Sequence, residues 1–304
     1  MAENFDTKFL TYLREIATTI SKAAGAHVLK LRDEGFSIDS KGENDFVTQA
    51  DTEAEAMVVG MIQELSGDDS IVGEEGANIK GSSDLTWYVD PIDGTMNFIE
   101  GGPFGVSIAV ASGDQLLAAA IYLPAEDRLY SAALGLGATR NGKQISVKQG
   151  SVSLSKSIVV TGQPYAKSKV EDRVHLELAK RTMGVRVSGA AVVNFTYVAE
   201  GYCNGYAQRG LKKWDVAAGM LIAQEAGAAT TTPFTNDWQS REDEPAQDLV
   251  IGHPDVVEEL AEFWTNVRIG PRMKQAKMGK KTKTAPPTSQ RLNPIDPTRT
   301  TFGL

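Results

Sequence analysis

The sequence predicts a layered protein that combines an α+β first half with an α/β second half. Apolar residues near the N-terminus recur at three- and four-residue steps, which is typical of an amphipathic helix. Residues 104–134 contain successive apolar runs separated by turn sequences, which indicates an antiparallel sheet. From Ser157 onward, short apolar runs alternate with helical patterns, so we expect a second sheet covered by helices.

The first half is predicted to begin with a long helix over the first thirty-odd residues. Its apolar face consists of Phe9, Leu13, Ile16, Ile20, Ala24, Val28 and Leu31. A second helix is predicted over about residues 51–65, and strands over residues 70–75, 86–90, 105–110, 116–123 and 128–133. Residues 124–127 and the pair Asn141-Gly142 supply turns of hairpin type.

The second half is predicted to contain strands over residues 158–161, 185–188 and 248–252. Helices are predicted over residues 169–182, 190–199, 214–226 and 254–267. We therefore divide the chain into an N-terminal α+β half (1–150), a C-terminal α/β half (151–268) and a tail (269–304). The tail is rich in Lys, Arg and Pro, with few large apolar side chains, and is predicted to be disordered. A solvated tail is favoured over contact with RNA or an acidic partner.

Composition limits the function classes. The chain has 304 residues, 41% of them hydrophobic, and no run approaches the roughly 20 apolar residues of a membrane span. The N-terminus has no secretory signal pattern, and a single cysteine, Cys203, fits a reducing cytoplasm. The net charge of −8 disfavours general nucleic-acid binding, and only three His make a His-rich zinc or iron site improbable. Oxygen-ligated Mg²⁺ is the expected metal if several acids are ligands.

The motif with the most chemical content is residues 87–98, which read WYVDPIDGTMNF. An apolar strand ends in Asp90 and Asp93, and Gly94-Thr95 follow where a helix can begin. Carboxylates beside free helix N–H groups can hold hard cations and phosphate together. Other acids occupy similar positions: Asp51 opens the second helix, Glu74 and Glu75 end a strand, and Asp215 opens a late helix.

Together these residues closely resemble the inositol monophosphatase family. The resemblance rests on residues 90–98, on Gly73-Glu74-Glu75 and on residues 214–219, with weaker matches at residues 192–195 and 210–212, and it covers roughly residues 5–267. It implies a layered αβαβα sandwich of the kind shared with fructose-1,6-bisphosphatases. It also implies a Mg²⁺-dependent, lithium-sensitive phosphomonoesterase, usually a homodimer, that acts through a metal-activated water. Two to three Mg²⁺ ions are implied, and Mn²⁺ is expected to substitute.

The resemblance also assigns roles to individual residues. The metal ligands it implies are Glu74, Asp90, the Ile92 carbonyl, Asp93 and Asp215. The implied phosphate donors are the N–H groups of Gly94 and Thr95. Asp51 is expected to accept the Thr95 hydroxyl proton, so that Thr95 and Glu74 orient and activate the attacking water. Gln208, Ala190 and Lys41 are the candidate substrate contacts.

The sequence departs from the family pattern near the presumed leaving group. The family often carries Asp at the position of Asn204, Ser or Thr at that of Ala190, and Glu at that of Gln208. Gln208 can still hydrogen-bond a hydroxyl but adds no negative charge. Arg209 and Lys213 add positive potential there, which suits a substrate with a second anionic group.

Several functions stay open on the sequence alone. Inositol-1-phosphate is the first candidate substrate, and histidinol phosphate, a 3′-phosphonucleotide or a sugar bisphosphate are alternatives. A haloacid-dehalogenase phosphatase is excluded, because its two acids lie two residues apart and Asp90 and Asp93 lie three apart. The non-enzyme alternative is a regulatory protein that contacts RNA or a partner through its basic tail.

Overall fold

A computed structural model describes residues 5–42, 45–162, 169–235, 238 and 248–278. The helices are α1 (Thr7–Glu34), α2 (Gln49–Ser66), α3 (Thr95–Glu100), α4 (Lys169–Arg181), α5 (Ala191–Ala199), α6 (Lys213–Glu225) and α7 (Pro254–Met278). The chain divides into two units, Met1–Arg268 and Ile269–Leu304.

The strands before residue 150 form a two-stranded and an eight-stranded sheet. They are β1 (Ile38–Gly42), β2 (Asp45–Thr48), β3 (Ser70–Gly73), β4 (Asn78–Ile79), β5 (Leu85–Asp93), β6 (Gly105–Ser112), β7 (Gln115–Leu123), β8 (Arg128–Ala133), β9 (Ala138–Arg140) and β10 (Lys143–Gln144). The larger sheet has the order β10-β9-β8-β7-β6-β5-β3-β4. Its pairs are antiparallel except β3 and β5, which run parallel.

The later strands form a five-stranded sheet in the order β12-β11-β13-β15-β14. They are β11 (Ile158–Thr161), β12 (Gly184–Arg186), β13 (Gly205–Arg209), β14 (Ala229–Thr230) and β15 (Asp248–Gly252). β11 runs parallel to β12 and β13, whereas β15 runs antiparallel to β13 and β14. The sheet is therefore mixed, as the alternation of strands and helices allows.

The first layer consists of α1 and α2, which cover one face of the eight-stranded sheet. Trp87 and Val89 of β5 share a buried cluster with Ile20 of α1 and Val58 of α2. Tyr88, between them in sequence, belongs to a different cluster. This separation follows from the alternation of side chains along a strand, and it means that β5 is buried on both faces.

Helices α5 and α6 lie between the two sheets. Phe195 of α5 and Met220 of α6 share a buried cluster with Tyr88 of the eight-stranded sheet and with Tyr206 and Ile251 of the five-stranded sheet. Both helices are apolar around most of their circumference, which suits a layer that is buried on two sides.

The last layer consists of α4 and α7. Val159 of β11 and Val250 of β15 pack in a third cluster with Val174 of α4 and Leu260 of α7. The order of layers is thus helix, sheet, helix, sheet, helix. The predicted αβαβα sandwich is confirmed.

Local sequence explains several element boundaries. Thr48 caps α2, since its side chain accepts the N–H of Ala50 while Asp51 accepts the N–H of Thr48. Asn141 and Gly142, between β9 and β10, both have positive φ (48° and 76°), as the predicted hairpin turn requires.

Other predictions need correction. The first sheet is not wholly antiparallel, because β3 and β5 are adjacent parallel strands. The strand predicted at residues 185–188 lies at Gly184–Arg186. The last helix does not end at residue 267 but continues to Met278, so residues 269–278 of the predicted disordered tail are helical. Arg, Met, Lys, Gln and Ala after Pro271 favour helix, and α7 continues through Gly270 and Pro271 although both disfavour it. The rest of the predicted tail, residues 279–304, lies outside the described residues, and the division at residue 150 stays a prediction.

Every helix among the described residues is too short or too polar to span a lipid bilayer.

Candidate active site and metal centre

Asp90 and Asp93 lie on the same face of the eight-stranded sheet because β5 contains a bulge. In a regular strand, residues three apart point to opposite faces. Asp90 pairs with Ser107 of β6 and Asp93 with Gly105, so three steps along β5 match two along β6. The extra residue returns Asp93 to the face of Asp90. The Ser107 hydroxyl donates to the Trp214 carbonyl oxygen (3.0 Å), so this face is directed toward the start of α6.

Glu74 reaches the same region from the neighbouring strand. It follows β3 directly, and its N–H donates to the Val89 carbonyl oxygen of β5 (3.2 Å). The next turn is held by Glu55 of α2, which is only 5% exposed. The Glu55 carboxylate accepts the N–H groups of Glu75 (2.8 Å) and Ala77 (2.9 Å). Glu55 therefore fixes the backbone that carries Glu74.

Two helix N-termini complete the arrangement. Asp93 Oδ2 accepts the N–H of Val192 (2.8 Å) at the start of α5. Asp215 lies in the first turn of α6, where its Oδ2 accepts the N–H of Lys212 (2.6 Å). Because helix N-termini carry partial positive charge, both places suit a carboxylate.

The structure brings Glu74, Asp90 and Asp215 together. One carboxylate oxygen of each lies within 4.8 Å of the others. Asp90 Oδ1 accepts the N–H of Ile92 (3.1 Å), whereas no N–H group of the described residues donates to the buried Asp90 Oδ2, and the Asp90 carboxyl group interacts with that of Glu74. A buried carboxylate oxygen without a donor is costly unless a cation faces it. An all-oxygen donor set of this kind suits a hard divalent cation.

Burial and mutual repulsion disfavour the ionised acids. Burial, and then the charges of Glu74, Asp93 and Asp215, raise the pKa of Asp90 well above its usual value. Burial raises the pKa of Asp93 to about 7, although N–H groups from α5 oppose the rise. Burial and the Asp93 charge raise the pKa of Asp215 to about 7, opposed by Lys212. A bound cation would reverse all three effects, because it stabilises the ionised carboxylates.

Asp51, Ile92 and Thr95 form a contact beside the cluster. Thr95 Oγ1 lies 3.3 Å from Asp51 Oδ1 and 3.2 Å from the Ile92 carbonyl oxygen. Asp51 is 1% exposed, and its other oxygen accepts the N–H and hydroxyl of Thr48 (2.8 and 2.6 Å). Asp51 is thereby held in place, and its Oδ1 faces Thr95.

Gly94 lets the backbone at the start of α3 lie close to Ala190. Its φ is +91°, and an added Cβ would lie 2.8 Å from the Ala190 Cβ. A side chain there would be strained and would displace α5. The backbone of residues 94 and 95 is thus left open to the adjoining cavity.

A cavity of about 170 Å³ adjoins these residues. Its lining includes Glu74, Asp93, Gly94, Thr95, Ala190, Asn194, Gln208, Arg209 and Asp215. Of the candidate substrate contacts, Gln208 and Ala190 therefore lie at the cavity. Lys41 lies in β1, and its side chain is outside the described part of the structure.

Sequence reasoning missed three residues around the cavity. Tyr206 of β13 is fully buried, and its hydroxyl donates to Gln208 Oε1 (2.6 Å). The Asn97 amide donates to the carbonyl oxygens of Pro103 (2.6 Å) and Ser188 (2.8 Å), which joins α3 to the segment before α5. Glu55, described above, is the third. Asn97 belongs to the 87–98 motif and Glu55 follows Asp51 by one helical turn, but neither position alone indicates a supporting role.

Comparison with known proteins identifies the family. Residues 10–267 match the model of the inositol monophosphatase family. The chain belongs to that family.

Relatives and solved structures in this family carry several names. A fructose-1,6-bisphosphatase/inositol-1-monophosphatase from Aquifex aeolicus is 38% identical, over 70% of this chain and 83% of that protein. A protein named Nus factor SuhB, from Vibrio cholerae, is 36% identical, over 71% and 83%. The structure of an inositol monophosphatase from Anabaena superposes with a TM-score of 0.71 and 30% identity, covering 85% of this chain and 97% of that one.

These findings confirm the resemblance and the predicted fold. The inositol monophosphatase family is metal-dependent, and this member has an acidic cluster that can bind a metal.

Proposed function

We propose that this inositol monophosphatase family member is a Mg²⁺-dependent phosphomonoesterase of small polyol or related monophosphates. The observation that carries the proposal is the convergence of the Glu74, Asp90 and Asp215 carboxylates beside a cavity. These acids would repel a phosphate dianion on their own, so the arrangement suits an anionic substrate only with cations between them.

The family resemblance supports a division of these donors between two cation sites, both of which would use Asp90. Glu74, Asp90 and the Ile92 carbonyl oxygen would hold one cation, and Asp90, Asp93 and Asp215 the second. Glu74 would also help to order a third, weaker ion. When bound, these cations neutralise the phosphate, lower the pKa of a water molecule and stabilise the leaving oxygen.

Thr95, Asp51 and Glu74 are proposed to prepare the attacking water. Asp51 Oδ1 lies 3.3 Å from the Thr95 hydroxyl and can accept a hydrogen bond from it, which leaves the lone pairs of the Thr95 oxygen to accept a hydrogen bond from water. The Glu74 carboxylate would accept the second hydrogen bond from the same water molecule. Direct attack by an oriented water requires no covalent intermediate with the chain.

Gly94 and Thr95 are proposed to bind the phosphate through their backbone N–H groups. α3 begins at Thr95, so the first N–H groups of the helix have no partner within it. No acidic side chain stands at residues 94 and 95 to repel a phosphate. Their role is to hold the phosphorus in line between the attacking and leaving oxygens.

The test is a phosphate-release assay with and without Mg²⁺ or Mn²⁺. The substrates are inositol-1-phosphate, the first candidate, with histidinol phosphate, fructose 1,6-bisphosphate and a 3′-phosphonucleotide as alternatives. We expect release that depends on the divalent cation and is inhibited by lithium. Absence of release from every substrate with either cation would contradict the proposal. Asp93→Asn tests the ligand assignment, with Asp69→Asn as a control outside the cavity lining.

A regulatory role is the second candidate, because a relative at 36% identity is named Nus factor SuhB. The basic tail is the proposed contact for RNA or an acidic partner, and residues 279–304 lie outside the described structure. Deleting residues 279–304 removes the tail beyond α7. Phosphatase activity should survive this deletion, and loss of RNA or partner binding would establish the tail's role.

We further propose a homodimer in the cytoplasm. Family resemblance supports the dimer, and the single cysteine supports a reducing compartment. Sedimentation analysis that shows only a monomer would contradict the dimer.

A further inference from the structure

Asn97 of α3 joins backbone segments that lie far apart in the sequence. Its Nδ2 donates hydrogen bonds to the carbonyl oxygens of Pro103 (2.6 Å) and Ser188 (2.8 Å). Its own carbonyl oxygen accepts the N–H of Gly102 (2.6 Å). Ser188 is 91 residues away in the chain, in the segment that leads into α5. One side-chain amide therefore connects the segment after α3 to the segment before α5.

The Asn97 amide allows two backbone carbonyl oxygens to face the same point. A primary amide has two N–H groups on one nitrogen, so each of the two oxygens can accept its own hydrogen bond. If this donor group were removed, the oxygens of Pro103 and Ser188 would lose both hydrogen bonds, and their like partial charges would repel each other. The two segments are therefore expected to separate when the amide is absent.

The segments that Asn97 joins are the ones that surround Gly94. A Cβ added at Gly94 would lie 2.8 Å from the Ala190 Cβ and 3.5 Å from the carbonyl oxygens of Pro103 and Gly189. A Cβ added at Gly189 would lie 2.8 Å from Asn97 Oδ1, so the amide packs directly on that backbone. A change at Asn97 would thus be felt at Gly94.

The turn that Asn97 holds leads directly into α5. Ser188 Oγ accepts the N–H of Ala190 (3.2 Å), which closes the turn. Two residues further along, Val192 donates its N–H to Asp93 Oδ2 (2.8 Å). A displacement of Ser188 would therefore be passed on to the first residues of α5.

The cavity lining contains residues from both of the joined segments. Gly94 and Thr95 line it at the start of α3, and Gly189 and Ala190 line it before α5. Among the residues that the structure describes, Asn97 is not part of this lining. Its effect on a ligand must therefore act through the backbone that it holds.

We propose that Asn97 is a positioning residue that holds the Gly94–Thr95 backbone and the start of α5 in the arrangement that binds phosphate. This inference rests on the proposed phosphatase function and adds a residue that acts on its phosphate-binding step. The three clustered carboxylates are carried by other parts of the chain, namely the end of β3, β5 and the first turn of α6. Mg²⁺ binding should accordingly depend on Asn97 much less than phosphate binding does.

Calorimetric titration with inorganic phosphate at saturating Mg²⁺ measures this role without turnover. Asn97→Ala should weaken phosphate binding about tenfold or more, and should lower kcat/KM for the preferred substrate by a similar factor. The affinity for Mg²⁺, titrated in the absence of phosphate, should stay nearly unchanged. This split identifies a positioning role, because a general loosening of the structure would weaken the binding of both ions.

Asn97→Leu is a second variant that separates the hydrogen bonds from packing. Leu is close to Asn in volume but has no N–H group to offer the two carbonyl oxygens. It should therefore weaken phosphate binding as Asn97→Ala does. Phosphate affinity equal to that of the wild type in a folded Asn97→Leu protein would overturn the proposal.

Asn141→Ala is the matched control. The Asn141 side chain also bridges two backbone groups, since Nδ2 donates to the Asp127 carbonyl oxygen (2.9 Å) and Oδ1 accepts the N–H of Leu129 (2.7 Å). It lies in the turn between β9 and β10, outside the cavity lining. This variant should melt at a lower temperature and keep the phosphate affinity and kcat/KM of the wild type.

The outcomes distinguish failure of this inference from failure of the phosphatase proposal. Phosphate release by the wild type, with unchanged phosphate affinity in Asn97→Ala, overturns the positioning role alone. An equal loss of phosphate affinity in Asn141→Ala also overturns it, because the loss would then follow stability. Absence of release by the wild type from every substrate overturns the phosphatase proposal and this inference with it.

Discussion

Replacing Asp93 by Asn should make the metal-free protein more stable while abolishing its activity. Burial raises the pKa of Asp93 to about 7, from an ordinary value of 3.8. Asn keeps an oxygen that can accept the Val192 N–H now bound by Asp93 Oδ2 at 2.8 Å. The substitution therefore removes the ionisation and keeps the hydrogen bond from Val192, while the N–H of Ala191 loses a charged acceptor.

The sign of the pH dependence follows from the raised pKa. Between about pH 4 and pH 7 the folded, metal-free protein keeps a proton on Asp93 that the unfolded chain has lost. Its stability therefore falls as the pH rises through that range. At about 1.36 kcal/mol per pKa unit, the buried ionised group costs the folded state about 4 kcal/mol at pH 8. For a domain of this size, that corresponds to a melting temperature lower by on the order of 10 °C.

Thermal unfolding in the presence of a chelator, at about pH 5 and about pH 8, measures this cost. Asp93→Asn should raise the melting temperature by on the order of 10 °C at pH 8 and change it little at pH 5. Excess Mg²⁺ should stabilise the wild type at pH 8 far more than the variant. Phosphate release by the variant should fall by a factor on the order of 100 or more.

Asp69→Asn is the matched control with the opposite expected sign. Asp69 is 5% exposed and accepts hydrogen bonds from Trp87 Nε1 (2.8 Å) and Ser83 Oγ (2.5 Å), outside the cavity lining. Its replacement should lower stability and leave the response to Mg²⁺ intact. If the metal-free wild type melted at the same temperature at both pH values, or if Asp93→Asn were no more stable than wild type at pH 8, the electrostatic reasoning would be refuted.

Three further predictions concern residues around the cluster. Glu55→Gln should weaken Mg²⁺ binding about tenfold or more, because the turn next to Glu74 loses its carboxylate acceptor. A Mg²⁺ titration followed by thermal shift measures the affinity, and an unchanged affinity would contradict this prediction. Gly94→Ala should destabilise the protein by on the order of 1–3 kcal/mol and reduce activity, because the φ of Gly94 is +91° and the added Cβ would clash with Ala190. An unaltered denaturation midpoint would refute this steric argument. Thr95→Ala should reduce kcat by roughly 100-fold or more, and a loss of only a few fold would assign Thr95 to packing.

Periodicity predicted the layers of the fold well, because each strand or helix with a clear apolar pattern is buried as that pattern requires. Strands β8, β11 and β15 begin and end where the sequence placed them. Most of the strands that were missed lack such a pattern. β1 reads IDSKG and is mostly polar, β4, β10 and β14 have only two residues each, and β2 and β9 have only four and three. The exception is β13, which reads GYAQR: its first three residues are buried, but a Gly at its start and two polar residues at its end hide the pattern. Their pairing depends on neighbours far along the chain, which single-segment patterns do not contain.

The candidate site was predicted in composition but not in geometry. The sequence indicated Asp90, Asp93 and Asp215 as acids at element ends, and the structure places them in one electrostatic neighbourhood. The sequence did not indicate that Glu55 holds the turn after Glu74 or that Tyr206 orients Gln208. The hydrogen bonds of Glu55 and Tyr206 form only when tertiary packing brings each side chain to its partner. Such supporting residues have no local signature, because a buried Glu or Tyr looks the same in sequence wherever it packs.

The bulge in β5 makes chain length, rather than residue identity, the sensitive quantity between Asp90 and Asp93. Pro91 and Ile92 can in principle be exchanged for other residues that tolerate the local backbone. Removing either one would give a regular two-residue step against β6, with the later register unchanged, but it would abolish the bulge. The backbone between the two acids would then be rebuilt, including the Ile92 carbonyl oxygen that lies 3.2 Å from the Thr95 hydroxyl. A single-codon deletion here should therefore be more damaging than a conservative replacement at the same two sites.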